Sequence, residues 1–130
     1  QAREKLKKRI AAFYGDFARK YQRRNAGAVV AMLDDDWRAG DGTTLADLEE
    51  TLDNSFRIFD EVQCTINGLK IEPDPAAKTA KVSYQIQITG RIYRNRIKHE
   101  ESSNVVETVR ADPGKIRILR TLDGRFWYTE

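Results

Sequence analysis

His99 is the single histidine of the chain. An imidazole is the side chain whose ordinary pKa lies nearest neutrality, which makes His99 the natural candidate for proton transfer. Glu101 stands two positions on. On an extended strand the two side chains share a face about 6–7 Å apart, within reach of an orienting contact. Ser103 continues that face, but no base other than His99 accompanies it and no Gly-x-Ser-x-Gly elbow is present, so it makes a weak nucleophile. No metal is expected. One His and one Cys, distant in sequence, give no ligand pair, and Asp34, Asp35, Asp36 and Asp41 do not match EF-hand spacing, so they read as a solvated acidic cap. The eight glycines form no phosphate-cradling loop, and no cofactor is expected. Cys64 shares its strand face with Val62 and Ile66 and reads as a buried apolar filler.

The elements that must position these residues follow from periodicity. Leu6, Ile10, Phe13, Tyr14, Phe17 and Tyr21 recur at three- and four-residue steps and predict a first helix, with Asn25-Ala26-Gly27 ending it. Ala28 to Leu33 predicts a short second helix closed by the three aspartates, and Trp37 to Thr43 a loop. Thr44, with Asp47 three residues on, predicts an N-cap. The stripe Leu45, Leu48, Leu52, Phe56 and Phe59 then carries a third helix to about Asp60. Beyond Glu61 the period changes to two. Strands are expected from Val62 to Ile71 with a bulge at Asn67-Gly68, from Val82 to Ile92, from Ile97 to Ala111, from Lys115 to Leu122, and briefly over Arg125 to Tyr128. Glu72 to Pro75 is expected as a loop, and Pro113-Gly114 and Asp123-Gly124 as hairpin turns. Three helices followed by an antiparallel meander make the fold α+β, in one domain over 1–130.

Hairpin register decides which side chains meet. A tip at Arg94-Asn95 pairs Ile92 with Ile97, Gly90 with His99, Ile88 with Glu101, Ile86 with Ser103 and Tyr84 with Val105. A tip at Pro113-Gly114 pairs Ala111 with Ile116 and Val109 with Ile118. Both tips put the odd residues of the third strand on the apolar face, and a one-residue slip would move them all to the other side. His99, Glu101 and Ser103 thus interrupt an apolar surface, and Glu107 is expected opposite Arg120 as a structural ion pair. Leu119, Phe126 and Tyr128 are expected together on the outer face of the sheet, where apolar residues invite a second copy of the chain; this predicts a homodimer.

The pattern Phe13-Tyr14-x-x-Phe17-Ala18-x-x-Tyr21, a short second helix, Asp36-Trp37, and Asp41-Gly42-Thr43-Thr44-Leu45 leading into a helix with Ser55-Phe56 resembles the nuclear transport factor 2-like superfamily over nearly the whole chain. This is the cone-shaped, cystatin-like fold that includes ketosteroid isomerases and polyketide cyclases. The resemblance implies a pocket between a curved sheet and the helices, and often a dimer through the sheet. The lining expected here is Tyr14, Trp37, Tyr84, His99, Glu101 and Ser103. Tyr14 also fits the apolar stripe of its helix, and no family catalytic motif matches residue by residue.

Two functions follow as expectations. One is a non-catalytic module that binds a small, partly apolar ligand. The alternative is an acid–base enzyme of the isomerase, cyclase or dehydratase kind, with His99 or Glu101 as general base and a tyrosine as oxyanion donor. Convergence of His99, Glu101 and a tyrosine hydroxyl in a closed apolar pocket favours the enzyme; exposure, or a pocket filled by Phe and Tyr, favours the module. A third possibility is a protein-binding domain that uses the outer sheet face.

Charge is uneven: residues 1–24 hold nine Lys and Arg against two acids inside a chain of net charge +3. The apolar stripe makes much of this charge the solvated back of a helix. Together with Glu100 and Glu101 beside the basic tip Arg91 to Lys98, that counts against nucleic acid as a partner. No apolar run reaches the length of a membrane-spanning helix. The chain starts at Gln1, which fits a processed secreted or periplasmic protein and a trimmed chain equally.

Overall fold

A computed structural model describes residues 1–129. It contains α1 (Ala2–Gln22), α2 (Ala26–Val30), β1 (Leu33–Ala39), α3 (Leu45–Ile58), β2 (Glu61–Asp74), β3 (Thr79–Ile92), β4 (Ile97–Asp112) and β5 (Lys115–Asp123). The five strands form one sheet in the order β1-β5-β4-β3-β2. Strands β2 to β5 make the expected antiparallel meander, and β1 adds to its end parallel to β5.

Local chemistry accounts for the helices. The α1 stripe of Leu6, Ile10, Tyr14, Phe17 and Tyr21 is buried against the sheet. Asn25 opens α2 rather than only ending α1: its side chain accepts from Ala28 N at 3.0 Å. The capping box of α3 is closed on both sides. Asp47 N donates to Thr44 Oγ1 at 3.2 Å, and Thr44 N donates to Asp47 Oδ2 at 3.1 Å. Phe59 ends the helix with its ring flat against Gly90, where a Cβ would lie 2.7 Å from ring carbons. The absence of a side chain there is what lets α3 close onto the sheet.

The two hairpin registers are as expected, including Gly90 opposite His99, Ile88 opposite Glu101, Ile86 opposite Ser103 and Val109 opposite Ile118. The bulge at Asn67-Gly68 is present, with Gly68 at φ 63°.

Four expectations are corrected. Residues 33–39 are a strand, not the end of a helix followed by a loop. Its ladder to β5 is irregular between Leu33 and Arg38, and Asp34, Asp35 and Asp36 occupy that irregular stretch, which hides the alternation of Leu33, Trp37 and Ala39. Strand β2 runs on through Pro73, which pairs with Ala80; β2 is an edge strand and tolerates a proline. A register shift in the β4–β5 ladder places Glu107 opposite Thr121 instead of Arg120, and Arg120 turns outward to donate to Asp36 O at 2.7 Å.

The fourth correction concerns the chain end. Residues 125–128 form no strand. Gly124, at φ 72°, packs so closely against the Asn104 carbonyl that no side chain fits, and the chain crosses the inner face of the sheet. Phe126 and Tyr128 therefore lie on the inner side. Phe126 is fully buried, its ring centroid 5.2 Å from that of Phe17, and Tyr128 packs on Phe59 at 5.2 Å. Only Leu119 of the expected outer trio remains outside, half-buried.

Candidate functional site

The six residues expected to line one pocket lie in three places. The first is a sealed polar network in the core. Glu107 Oε1 accepts from Tyr14 Oη at 2.6 Å and from Tyr84 Oη at 2.9 Å. Its Oε2 accepts from Thr121 Oγ1 at 2.8 Å, and Thr121 Oγ1 accepts from Trp37 Nε1 at 3.0 Å. Glu107 and Thr121 are fully buried, and Tyr14, Trp37 and Tyr84 nearly so. Loss of water raises the Glu107 carboxyl above its ordinary range; the bonds from Tyr14, Thr121 and Tyr84 pull the other way without cancelling the shift. Tyr14 and Tyr84 are raised well above a normal phenol, first by burial and then by the facing Glu107. Every donor here points at an acceptor, and a substrate has no way in. The network holds the core together.

The second place is a pocket of ≈ 160 Å³ on the inner face of β3 and β4, lined by Ile86, Ile88, Glu101, Ser102, Ser103 and Arg125. Arg125 N donates to Ser103 Oγ at 3.1 Å, and Arg125 Nη2 lies 4.0 Å from Glu101 Oε1. Glu101 is therefore turned toward a cation on the chain end.

The third is an open cleft of ≈ 690 Å³ beside α3, with His99 on its wall. Its floor is apolar and aromatic: Ile58, Phe59, Ile92, Trp127 and Tyr128. The polar groups come from α3 (Asp47, Thr51, Asn54, Ser55), from Asp41 and Thr43 before it, and from Thr129. The His99 and Phe59 ring centroids are 5.8 Å apart. Ile58 is exposed and stands off the buried stripe of α3.

Residues 124–129 divide the second place from the third. The Tyr128 hydroxyl lies 2.8 Å from His99 O and 3.0 Å from Ile88 O and shares its one proton between them, so the tyrosine bridges β3 and β4 on the inner face. Burial is the first cause that pushes this phenol up to about 12, with Glu101 as the next contributor. His99 and Glu101 share a strand face as expected, yet they line different cavities. The convergent set of histidine, carboxylate and tyrosine hydroxyl does not form.

Sequence reasoning missed the α3 wall and Trp127. Ile58, apolar but outside the helical stripe, was the available signal for the former. Trp127 could not be placed while 125–128 read as a strand. Among the described residues, no three His, Cys, Asp or Glu side chains cluster to hold a metal ion. No described helix is long and apolar enough to cross a membrane.

No protein-family model and no curated protein matches the chain. Solved structures do. A protein from Novosphingobium aromaticivorans DSM 12444, provisionally named scytalone dehydratase, matches with a TM-score of 0.83 at 13% identity, over 99% of this chain and 92% of its own. A hexachlorocyclohexane dehydrochlorinase of type 2 matches with a TM-score of 0.74 at 14% identity, over 98% and 88%. A nuclear transport factor 2-like superfamily protein from Salmonella enterica serovar Typhimurium LT2 matches with a TM-score of 0.74 at 9% identity, over 97% and 94%. Identities this low speak to architecture alone. Three helices laid on a curved five-stranded sheet, matched end to end by these structures, give this chain the nuclear transport factor 2-like fold.

Proposed function

We propose that this chain is an acid–base enzyme of the isomerase, cyclase or dehydratase kind, acting on a small, partly apolar substrate in the α3 cleft. The observation that carries the reading is His99, the chain's single imidazole, on the wall of a cleft floored by Ile58, Phe59, Ile92, Trp127 and Tyr128. An apolar floor with a few polar groups suits a small molecule, and an imidazole beside it can take a proton from carbon and return it. Two of the structural neighbours bear the names of elimination enzymes, a provisionally named dehydratase and a dehydrochlorinase, so the architecture is one compatible with this reading. In this cleft His99 would act without Glu101, whose carboxylate faces Arg125.

That same pairing favours a second reading, a module that binds a small ligand without transforming it. Glu101 and the Tyr128 hydroxyl are both engaged elsewhere, and His99 is itself exposed. The imidazole thus has neither an orienting acid nor an oxyanion donor, and the exposure that favours the module is present.

The Kemp elimination of 5-nitrobenzisoxazole separates the two. A base removes the ring C–H proton as the N–O bond breaks, and the phenolate product is coloured. The enzyme reading expects a rate above that of buffer alone that drops at least about tenfold in His99→Gln. Saturable binding of the probe with equal rates in the two proteins would leave the binding module standing and remove the enzyme.

A further inference from the structure

We propose that Arg24 is a positioning residue of the α3 cleft. From the corner between α1 and α2 it fixes the end of α3, and with it the Phe59 ring beside which His99 stands. This rests on the reading of the cleft as the substrate site and adds a residue outside the cleft that sets its floor.

Arg24 Nη1 donates to Phe59 O at 2.6 Å, across 35 positions of sequence. The carbonyls at a helix C-terminus have no partner within the helix and carry the negative end of its dipole, so a guanidinium is well matched to them. Phe59 N donates to Ser55 O at 3.2 Å and closes the last turn of α3, which leaves the Phe59 carbonyl as the group to be held.

The backbone of Arg24 makes its residue type informative. Its φ is 57°, in the left-handed region, and its N–H donates to Tyr21 O at 3.0 Å just past the end of α1. Glycine takes this conformation without strain and is the usual residue at such a helix end. Lys78 and Arg96 share the positive φ, but both stand in hairpin turns, and among the described residues neither side chain is bonded to another element. Arg24 differs from them. What an arginine supplies here, and a glycine would not, is a donor long enough to reach α3.

Phe59 passes that hold on to the cleft. Its ring lies over Gly90, where a Cβ would come within 2.7 Å of ring carbons, so it fits above bare backbone alone. From there its centroid is 5.8 Å from that of His99 and 5.2 Å from that of Tyr128. The next residue is tied to the β3–β4 hairpin: Asp60 N donates to Arg91 O at 2.8 Å, and Asp60 Oδ2 accepts from Tyr93 N at 2.8 Å. Phe59 is therefore held toward the sheet through Asp60 and toward the α1–α2 corner through Arg24. Without the second hold the ring is free to rock over Gly90, and His99 and Tyr128 lose a fixed neighbour.

Arg24→Gly tests this without straining the fold, because it relieves the backbone while removing the guanidinium. Arg24→Asn also tolerates a left-handed backbone and is too short to reach α3, so it repeats the test by a second route. Arg24→Lys restores a charged donor. The first readout is the ring resonances of His99, which sense the ring current of Phe59 and are unambiguous because the chain has no second histidine. The second is the affinity of 5-nitrobenzisoxazole, read from the shifts of those resonances. Arg24→Gly and Arg24→Asn are expected to move the ligand-free His99 resonances and to weaken probe binding about three- to tenfold, the cost of ordering one loosened side chain on binding. Arg24→Lys is expected to bind within about twofold of the wild type. His99 resonances that stay in place in both short variants, affinity equal to the wild type's, or a lysine variant as weak as the glycine one overturns Arg24 as a positioning residue. If the probe shifts no His99 resonance of the wild type at millimolar concentration, the cleft falls as the substrate site, while the ligand-free resonances still decide whether Arg24 fixes Phe59.

Discussion

The Tyr14 hydroxyl donates to Glu107 Oε1 at 2.6 Å, joining the middle of α1 to β4 across 93 positions of sequence. A carboxylate this deeply buried persists because Tyr14, Tyr84 and Thr121 donate to its oxygens. This network fills the core between α1 and the sheet, and both cavities lie away from it, one on β3 and β4 and one beside α3.

Glu107 should make stability fall as pH rises. Its folded-state carboxyl sits above the ordinary range, so between the ordinary value and the raised one the folded chain holds a proton that the unfolded chain has released. Stability is then greatest below that window and declines through it. Glu107→Gln keeps the acceptor for Tyr14 and Tyr84 and removes the titration. Urea unfolding at pH 5 and pH 8 should show the variant gaining on the wild type as pH rises; parallel pH profiles would refute the account. Glu107→Ala, which strands the tyrosine hydroxyls and leaves a cavity, should cost about 2–4 kcal/mol.

Gly124→Ala should loosen the chain end. The residue has φ 72° and its Cβ would meet the Asn104 carbonyl, so the new side chain is strained in backbone and in contact. The expected cost is about 1–3 kcal/mol, with Trp127 becoming more accessible to acrylamide quenching. Unchanged stability and unchanged quenching would show that the segment does not depend on this contact.

Cys64 should resist alkylation. It is buried, and burial pushes its thiol up to about 12, so almost no thiolate is present at pH 8. Labelling by iodoacetamide is expected to be at least about a hundredfold slower in the native chain than in urea. Comparable rates would mean that the β2 face opens readily.

Most of the meander was legible because a strand's period of two leaves a one-residue error nowhere to hide. The Arg94-Asn95 and Pro113-Gly114 tips fixed the partners of β4 as far as Val109. Just beyond that pair, the register shift at Thr108/Val109 changed the partner of Glu107 from Arg120 to Thr121. A bulge is a local kink with no composition of its own, so sequence pattern alone does not reveal it. The candidate site was less legible for a related reason. His99, Glu101 and Ser103 were placed correctly on one face, but the course of residues 124–129 over that face depends on tertiary contacts of Gly124, Arg125 and Tyr128. Alternation at 125–128 suggested a further strand. In the fold, Phe126 is taken up by Phe17 and Trp37 instead.

Strand β1 has a consequence for how the chain assembles. Its ladder partner is β5, and Arg38 pairs with Arg120 more than eighty residues later, whereas β2 to β5 join through short turns. Contacts that close such long loops are slow to form, so β1 should dock late. Until then its backbone donors and acceptors have no strand to pair with. The acids at Asp34, Asp35 and Asp36 fall on this segment, and charge on an unpaired edge is what discourages pairing with the wrong chain. The triplet that resembled a helix terminus thus puts charge on a strand that waits longest for its partner and stays at the sheet edge once paired.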